Sequence, residues 1–516
     1  MVCGFGDTHP STLRTDIFRY MIQNARTHGK SEEERKFTAM LKLFDPSSSL
    51  PVAERGKAPV AITSFFAGKP LVLDEKVKAG QIDDYVTPTF YAPNVSWLVQ
   101  RNGMNPRHSL MVSLNGSEGN HMHANGISME LYGKGYVLGP DAGIGKTLYQ
   151  GLDYLEYYSQ FPSHNTVCVD GISSYPVMKS NHSFKLRALY PAAGERLPYQ
   201  PISYSEVYFR EPETFADQTR LNGIVNVGDS AGYYIDIFRS RKVEGGDKMH
   251  DYFYHNLGQQ MTLTAADGSE LGLQPTQELA FAGAHLYAYS YIYNKKRAVT
   301  SKDVKAGFTI QMPDKDDITM NLWMKGEEGR EIFSALSPMT EGLSRIKNMP
   351  YSIKDQPTLT FVARQKGEAW NRPFVAVYEP STLKEPSCIA SVDYPQVKSE
   401  QQGSHVGIRV ALTNGNVDWI LSSDENAHHC KLEKLQARAG YALCRQSEKG
   451  EALQAFLGNG TQLEADGVSI RTDVPADVLL LKQDGKWMYT ATAPCRVVVG
   501  KKKYTLSVSK ELRLLK

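Results

Sequence analysis

The chain has almost no charge imbalance and no long hydrophobic run, and both absences exclude classes of protein. Its 516 residues include 58 Lys and Arg against 56 Asp and Glu, which leaves a net charge of only +2 at pH 7. Nucleic-acid-binding proteins carry a basic surface, so that class is excluded, whereas an acidic substrate needs only a local basic pocket. No stretch approaches about 18 consecutive apolar residues, so no membrane span is expected.

Cysteine is also scarce, and a secretion signal is missing. No two of the 6 cysteines form a CxxC pair, so we expect buried thiols rather than a disulfide framework. The first residues, MVCGFGDTHPST, have neither the basic nor the apolar region of a signal peptide. Either the protein stays in the cytoplasm, or this numbering omits the beginning of an exported precursor.

Helical periodicity is confined to the start of the chain. Apolar residues between Leu13 and Ala25 fall on one helical face, and Gly29 is a suitable stop. Ser31 and Glu34 then form a capping box that opens a second helix. Two short helices cannot bury their own faces well, so we expect the last hairpin of something larger or a pad against a sheet.

Beyond about residue 60 the pattern is strand after strand. Ile127, Met129 and Leu131 alternate with Ser128, Glu130 and Tyr132 before a turn that contains Gly133 and Gly135, and later strand-like runs include Gly232-Tyr-Tyr-Ile-Asp-Ile-Phe. No fixed repeat suggests a propeller or solenoid. The sequence predicts a mainly β protein, a large antiparallel multi-layer β-sandwich with a short N-terminal helical remnant. We expect a helical segment at 1–60, a β-sandwich with a metal site at 61–430 and a small C-terminal β domain at 431–516.

The densest set of metal-binding and proton-transfer groups is His121, His123, Asp141 and His164. Imidazole and carboxylate suit a borderline cation such as zinc, and three protein ligands leave one position open. If His123, Asp141 and His164 converge, His121 is left beside the cation as a candidate for acid–base work. Alternatively, the two closely spaced histidines only form hydrogen bonds in a loop.

Other candidates for substrate contact surround this set. Arg101 and Arg107 could pair with a carboxylate or could be solvated surface residues, and Asn120 directly precedes His121. A phenol could come from a tyrosine of the run before His164, although core packing is the commoner use; these tyrosines are Tyr154, Tyr157 and Tyr158.

Two further histidine groups stand apart from the first. Arg239, His250 and His255 could face one cleft, or could satisfy a sheet edge. The run His428-His429-Cys430 is a poor chelate because adjacent residues of a strand point to opposite faces, and we interpret it as incidental.

These motifs resemble the heparinase II/III-like polysaccharide lyases, in which a helical (α/α) toroid precedes a multi-layered β-sandwich. The resemblance extends from about residue 85 to 380 and is most specific between 120 and 170. It is carried by His121 and His123, by Asp141 and Gly143 after a strand, and by His164-Asn165-Thr166-Val167. Asn125 stands where many members of the family carry Asp.

The resemblance implies that His123, Asp141 and His164 hold a largely structural zinc ion. It implies that His121 faces the sugar cleft, where it neutralises a uronate carboxylate or takes part in proton transfer. Only the final helices of a toroid have a counterpart here, which suggests an N-truncated form without the toroid's catalytic groups. A periplasmic or secreted location is also implied.

The expected function is therefore β-elimination at a uronic acid of an acidic polysaccharide, such as alginate or a heparin/heparan-type polymer. The catalytic candidates are His121 and one of the three tyrosines, with Asn120, Arg101, Arg107, Arg239 and His250 as substrate-binding candidates. Two alternatives are a non-catalytic carbohydrate-binding β-sandwich and a cupin-like metal oxygenase that uses the three ligands as a facial triad.

Overall fold

The N-terminal part of the described chain is a helical hairpin. A computed structural model describes residues 15–49, 71–103, 110–145, 152–173, 178–195, 201–228, 230–279, 287–341, 343 and 349–516. Helices α1 (Asp16–Thr27) and α2 (Ser31–Phe44) are separated by the predicted stop at Gly29, which has a positive φ of 67°. Phe18, Ile22 and Leu41 form a small core between them with Leu73.

The predicted capping box at the start of α2 is wrong. Lys30 occupies the N-cap and no side chain there accepts a capping hydrogen bond. Glu34 instead pairs with Arg26 of α1, with 2.8 Å between the guanidinium and the carboxylate. The carboxylate therefore links the two helices rather than capping one of them.

The first strands form a five-stranded antiparallel sheet and a separate two-stranded pair. In the five-stranded sheet the order is 1-2-3-5-6 by strand number, and strands 4 and 8 pair with each other. These strands are β1 (Thr89–Ala92), β2 (Trp97–Arg101), β3 (Met111–Asn115), β4 (Ser117–Asn120), β5 (Ser128–Gly133), β6 (Tyr136–Gly139) and β8 (Lys179–His182). Strand β7 (Val167–Val169) precedes β8 in the sequence but joins a six-stranded sheet.

The middle of the chain forms two further layers of the sandwich. Its strands are β9 (Lys185–Tyr190), β10 (Ile202–Arg210), β11 (Ala216–Asn226), β12 (Gly232–Lys242), β13 (Met249–Asn256), β14 (Gln260–Ala265), β15 (Gln274–Pro275), β16 (Tyr293–Thr300), β17 (Val304–Ile310), β18 (Ile318–Met324), β19 (Arg330–Ser337), β20 (Thr358–Lys366) and β21 (Ala369–Thr382). An eight-stranded sheet has the order β14-β17-β18-β21-β12-β11-β10-β9, and a six-stranded sheet has the order β15-β16-β19-β20-β13-β7. A short helix, α3 (Tyr287–Ser290), precedes β16.

The C-terminal part forms a twelve-stranded sheet. Its strands are β22 (Ile389–Asp393), β23 (Lys398–Ser399), β24 (His405–Leu412), β25 (Val417–Ser423), β26 (His429–Leu432), β27 (Leu435–Gln446), β28 (Ala452–Ala465), β29 (Val468–Gln483), β30 (Lys486–Ala491), β31 (Cys495–Val499), β32 (Lys502–Leu506) and β33 (Ser509–Leu514). The predicted boundary at residues 430 and 431 lies inside β26 of this sheet. The division into three domains stays a prediction.

The eight-stranded sheet is the central layer, because both of its faces are buried. On β12, Tyr234 and Phe238 belong to the core shared with the five- and six-stranded sheets. Tyr233, Ile235 and Ile237 alternate with them and pack against the twelve-stranded sheet. This period of two places successive side chains in different cores. The predicted mainly β, antiparallel, multi-layer architecture is confirmed.

Two further sequence-based expectations concern membrane spans and the state of the cysteines. Among them, no helix is long and apolar enough to span a membrane. The cysteines at 168, 388, 430, 444 and 495 are free and buried, as expected for core thiols. Cys3 lies outside the described residues.

Candidate functional site

Three predicted metal ligands converge at the end of the five-stranded sheet. His123 lies in the segment between β4 and β5, Asp141 follows β6 by two residues, and His164 lies shortly before β7. All three side chains are buried, and one ligand atom from each lies within 4.8 Å of the others. The ends of the strands therefore bring His123 and His164, which are 41 positions apart in the sequence, into one cluster with Asp141.

The geometry of this triad fits a cation. Asp141 Oδ2 lies 2.8 Å from His164 Nδ1, a hydrogen bond of the kind that fixes the ring of a metal-ligating histidine. His164 Nε2 is buried and has no hydrogen-bond partner among the described residues. An ion would satisfy that atom, and two imidazoles with a carboxylate are a donor set that zinc accepts.

The electrostatics of the triad favour an ionised carboxylate. Burial by itself raises the pKa of Asp141, but the charge of His164 and its hydrogen bond outweigh burial, and His123 adds to their effect. The pKa of Asp141 is therefore lowered. A deprotonated carboxylate is the form that binds a metal.

Backbone contacts around His123 explain why it is buried. Ser117 Oγ donates to the His123 carbonyl at 2.7 Å, which closes the segment onto β4. Gly126 lies against Phe161, and a Cβ at this glycine would be only 2.4 Å from the aromatic ring. Since φ is 55° there, glycine meets both the steric and the backbone requirement.

Asn125, the departure from the family pattern, acts as a donor. Its Nδ2 atom donates to the Asn115 carbonyl at 3.1 Å and to Ser128 Oγ at 3.2 Å. An aspartate here would place an acceptor against the Asn115 carbonyl. The amide therefore suits the local structure of this chain.

Asn165 holds the triad's supporting strands together. Its Nδ2 atom donates to the carbonyls of Met129 at 3.0 Å and Pro140 at 3.2 Å. Its Oδ1 atom accepts from the His255 backbone N–H at 2.6 Å. One side chain thus connects β5, the residue before Asp141, and β13. In the sequence Asn165 is only one residue of the His164-Asn165-Thr166-Val167 motif, and no local pattern indicates this positioning role.

His121 is separated from the buried triad by a bend. β4 ends at Asn120, and His121 has a positive φ of 59° while its backbone N–H donates to the Met178 carbonyl at 2.8 Å. Both Asn120 and His121 are exposed, whereas His123 is 2% exposed. One imidazole of the pair therefore faces solvent and the other faces the triad.

The three predicted tyrosines lie on a π-helical turn, Tyr154–Tyr158, and all are buried. The Tyr154 ring is 5.7 Å from the His123 ring, centroid to centroid. Tyr158 donates to the Met339 carbonyl at 2.8 Å, and burial raises the pKa of Tyr157 and of Tyr158 well above the usual range. Tyr154 is thus the member of the group that packs on a triad residue.

Two predicted substrate-binding residues are fully buried. Arg239 is fully buried and donates to Ser404 Oγ at 2.8 Å across the interface with the twelve-stranded sheet. His250 is fully buried between Ser240 Oγ at 2.9 Å and Asp247 Oδ1 at 2.8 Å. Neither side chain reaches a surface that a polysaccharide can contact.

The remaining arginine candidates are placed differently. Arg101 ends β2 opposite Met111 and is half-buried. Arg107 lies outside the described residues. The prediction that either arginine binds a substrate carboxylate stays a prediction.

Comparison with known proteins identifies related enzymes. A protein of Formosa agariphila described as an endo-acting ulvan lyase is 26% identical over 500 residues, which covers 91% of this chain and 58% of the relative. The predicted resemblance to polysaccharide lyases is confirmed. The chain spans less than two thirds of the length of this lyase.

Solved lyase structures are also similar to the chain. A heparinase III covers 80% of it with a TM-score of 0.42 and 12% identity, and the match spans 48% of that enzyme. The heparan sulfate lyase HepC of Pedobacter heparinus covers 81% with a TM-score of 0.40 and 12% identity, over 50% of its own length. No family model matches the chain.

Proposed function

We propose that this protein is a polysaccharide lyase that cleaves an acidic, uronate-containing polysaccharide by β-elimination. The observation that carries the proposal is the similarity to an endo-acting ulvan lyase over 91% of the chain. The separation of an exposed His121 from a buried metal-type triad supports it. Ulvan is therefore the first polymer to test, followed by alginate and heparan sulfate.

The chemistry requires a group that neutralises the uronate carboxylate. The C5 proton becomes acidic when a cationic or hydrogen-bonding group stabilises the enolate-like charge that develops. A base then removes the proton, and an acid protonates O4 as the C4–O4 bond breaks. An exposed imidazole can serve either as neutraliser or as proton-transfer group, so His121 is the proposed catalytic residue.

The proposed resident ion is Zn²⁺, held by His123, Asp141 and His164. Bound zinc would supply structural cross-linking between the ends of β6 and β7 and the segment that contains His121. The lack of a hydrogen-bond partner for His164 Nε2 within the described part of the chain supports this assignment. Because His123 and His121 are two residues apart, a fixed His123 would also limit the positions open to His121. A periplasmic or secreted location belongs to the same proposal.

The two histidines give a matched pair of variants. His121→Ala should reduce the release of unsaturated product, measured as ultraviolet absorbance of the new C4–C5 double bond, by roughly 10²-fold or more. Its zinc content should equal that of the wild type because the side chain lies outside the triad. His123→Ala should lose zinc and melt at a lower temperature, since it removes a ligand from a buried cluster.

Each outcome has a definite meaning. Equal zinc loss in both variants would contradict the assigned roles. Binding of all three polymers by the full chain without any unsaturated product would favour a carbohydrate-binding sandwich instead. Bound iron with oxygen consumption would favour the metal oxygenase.

A further inference from the structure

A second cluster of histidine and carboxylate groups lies at the edge of the twelve-stranded sheet. His405 begins β24, Asp424 directly follows β25, and His428 directly precedes β26. One ligand atom from each lies within 4.8 Å of the others, and all three side chains are partly exposed. The cluster therefore brings the first residue of β24 together with the two ends of the turn at residues 424–428.

We propose that His405, Asp424 and His428 form a second transition-metal site that binds Zn²⁺. The proposal does not rest on the proposed lyase activity or on the first triad. Its donor set, two imidazoles and one carboxylate, leaves a fourth position for water in a tetrahedral complex. Partial exposure of the three side chains gives an ion a route from solvent.

The distance between the two imidazoles fits this role. His405 Nε2 and His428 Nδ1 are 3.2 Å apart. Two nitrogen ligands on a tetrahedral zinc ion, each about 2.0–2.1 Å from the metal, lie about 3.3–3.4 Å from each other. The same 3.2 Å is at the long end of the range for a hydrogen bond. The rings therefore need almost no movement to share one ion.

Neighbouring groups fix the carboxylate. The Ser404 backbone N–H donates to Asp424 Oδ1 at 2.9 Å, and Trp370 Nε1 donates to Oδ2 at 2.7 Å. Each carboxylate oxygen keeps a lone pair because it accepts one hydrogen bond from these groups. Such outer partners hold ligating carboxylates in place and raise metal affinity. Asp424 is thus oriented before any ion arrives.

Gly403 supplies the space that the cluster needs. A Cβ at this position would lie 2.8 Å from Asp424 Oδ1 and 3.0 Å from His428 Nδ1. Any larger residue would therefore push two ligand atoms apart.

The position of the site indicates a structural role. Ser404 Oγ accepts from Arg239 Nε at 2.8 Å, and Arg239 lies on β12 of the central sheet. An ion bound between His405, Asp424 and His428 would hold the 424–428 turn against β24 beside this contact. Bound metal should therefore stabilise the junction of the central and twelve-stranded sheets.

Metal stoichiometry tests the proposal. The full chain is treated with a chelator, dialysed against buffered Zn²⁺ and measured for bound zinc per protein. The double variant His405→Gln/His428→Gln should bind one equivalent less than the wild type, and its melting temperature should rise less when zinc is added. His429→Ala, next to the cluster but outside it, should match the wild type. Glutamine keeps side-chain polarity, and partly exposed positions tolerate it.

The outcomes separate this site from the first triad. Equal zinc binding by the wild type and the double variant would overturn the proposal, as would an equal loss in His429→Ala. A wild type that loses one equivalent through His123→Ala and another through the double variant supports both sites. Loss through the double variant alone supports the second site and contradicts the zinc assignment of the first. If the double variant fails to fold, His428→Gln alone should still lower zinc affinity at least tenfold, and an unchanged affinity would overturn the proposal.

Discussion

Replacing Asp236 by asparagine should destabilise the sandwich by about 3–5 kcal/mol, because it leaves the buried Arg220 without its counter-charge. The two side chains are 0% and 1% exposed, and Arg220 donates to both carboxylate oxygens, at 2.8 and 2.7 Å. Burial by itself lowers the pKa of Arg220, but Asp236 outweighs burial and the pKa is raised. The guanidinium therefore stays charged in the wild type and would have to remain so, unpaired, in the variant.

The surroundings of the pair place the expected effect toward the upper part of this range. Asn222 Nδ2 donates to Asp236 at 2.8 Å and the Tyr252 hydroxyl donates at 2.6 Å. An amide NH₂ introduced at position 236 would face at least one of these donors. Arg220 also donates to the carbonyls of Ile127 and Asn165, at 2.7 and 2.6 Å, so a displaced guanidinium would disturb the segments around the triad.

Differential scanning calorimetry of the full chain measures this effect. A change of 1 kcal/mol shifts the melting temperature by about 2 °C in a large cooperative unit, so Asp236→Asn should lower it by roughly 6–10 °C. Asp217→Asn is the control, since Asp217 is half-buried and accepts from the Tyr208 hydroxyl at 2.6 Å; a loss of about 1 kcal/mol is expected there. Equal shifts in the two variants would refute the reasoning.

Two further predictions concern the same region. Asn165→Ala removes the hydrogen-bond partner of the Met129 and Pro140 carbonyls and of the His255 N–H. Because each unsatisfied buried group costs about 1–3 kcal/mol, the melting temperature of the variant should fall by several degrees. A melting temperature equal to that of the wild type would contradict the positioning role of Asn165. Burial lowers the pKa of His182 from 6.5 to about 3, so the unfolded chain binds a proton that the folded chain does not, and stability falls as pH decreases from about 6.5 to 3. His182→Gln cannot take up that proton, so its free energy of unfolding should fall by about 2 kcal/mol less than that of the wild type between pH 7 and pH 5. Urea titrations at the two pH values measure this, and equal decreases in the two proteins would rule it out.

Local patterns predicted the elements of the fold but not their partners. The apolar run Gly232-Tyr-Tyr-Ile-Asp-Ile-Phe predicted a strand, and β12 covers it. Apolar residues at both sets of alternate positions are typical of a strand buried on both faces, but the run does not indicate which layers cover those faces. That β12 pairs with β21, more than 120 residues later, depends on contacts that no local period encodes.

Sequence spacing indicated groups of candidate residues, but it could not indicate burial that depends on distant strands. Arginine is a residue type that often binds substrate carboxylates, but the hydrogen-bond partner of Arg239, Ser404, is 165 residues away in the sequence. The second histidine cluster shows the same limit. The adjacent pair at 428 and 429 was interpreted as incidental, whereas His428 lies close to His405 and Asp424, with one ligand atom from each within 4.8 Å of the others. The spacing within the pair did not indicate these distant neighbours of His428.

The different exposure of His121 and His123 follows from one backbone angle. Residues two apart on a regular strand share a face, so an extended His121 would point its imidazole the same way as His123. The positive φ of 59° at His121 breaks that period just after β4. A left-handed conformation costs a non-glycine residue about 1–2 kcal/mol, and strain of this size is concentrated at functional positions. The cost is offset by the strand pairing and the His121 N–H to Met178 bond on one side, and by the Ser117 bond to His123 on the other. In the proposed lyase, this separation would present the His121 imidazole to an anionic sugar while His123 stays in the buried triad.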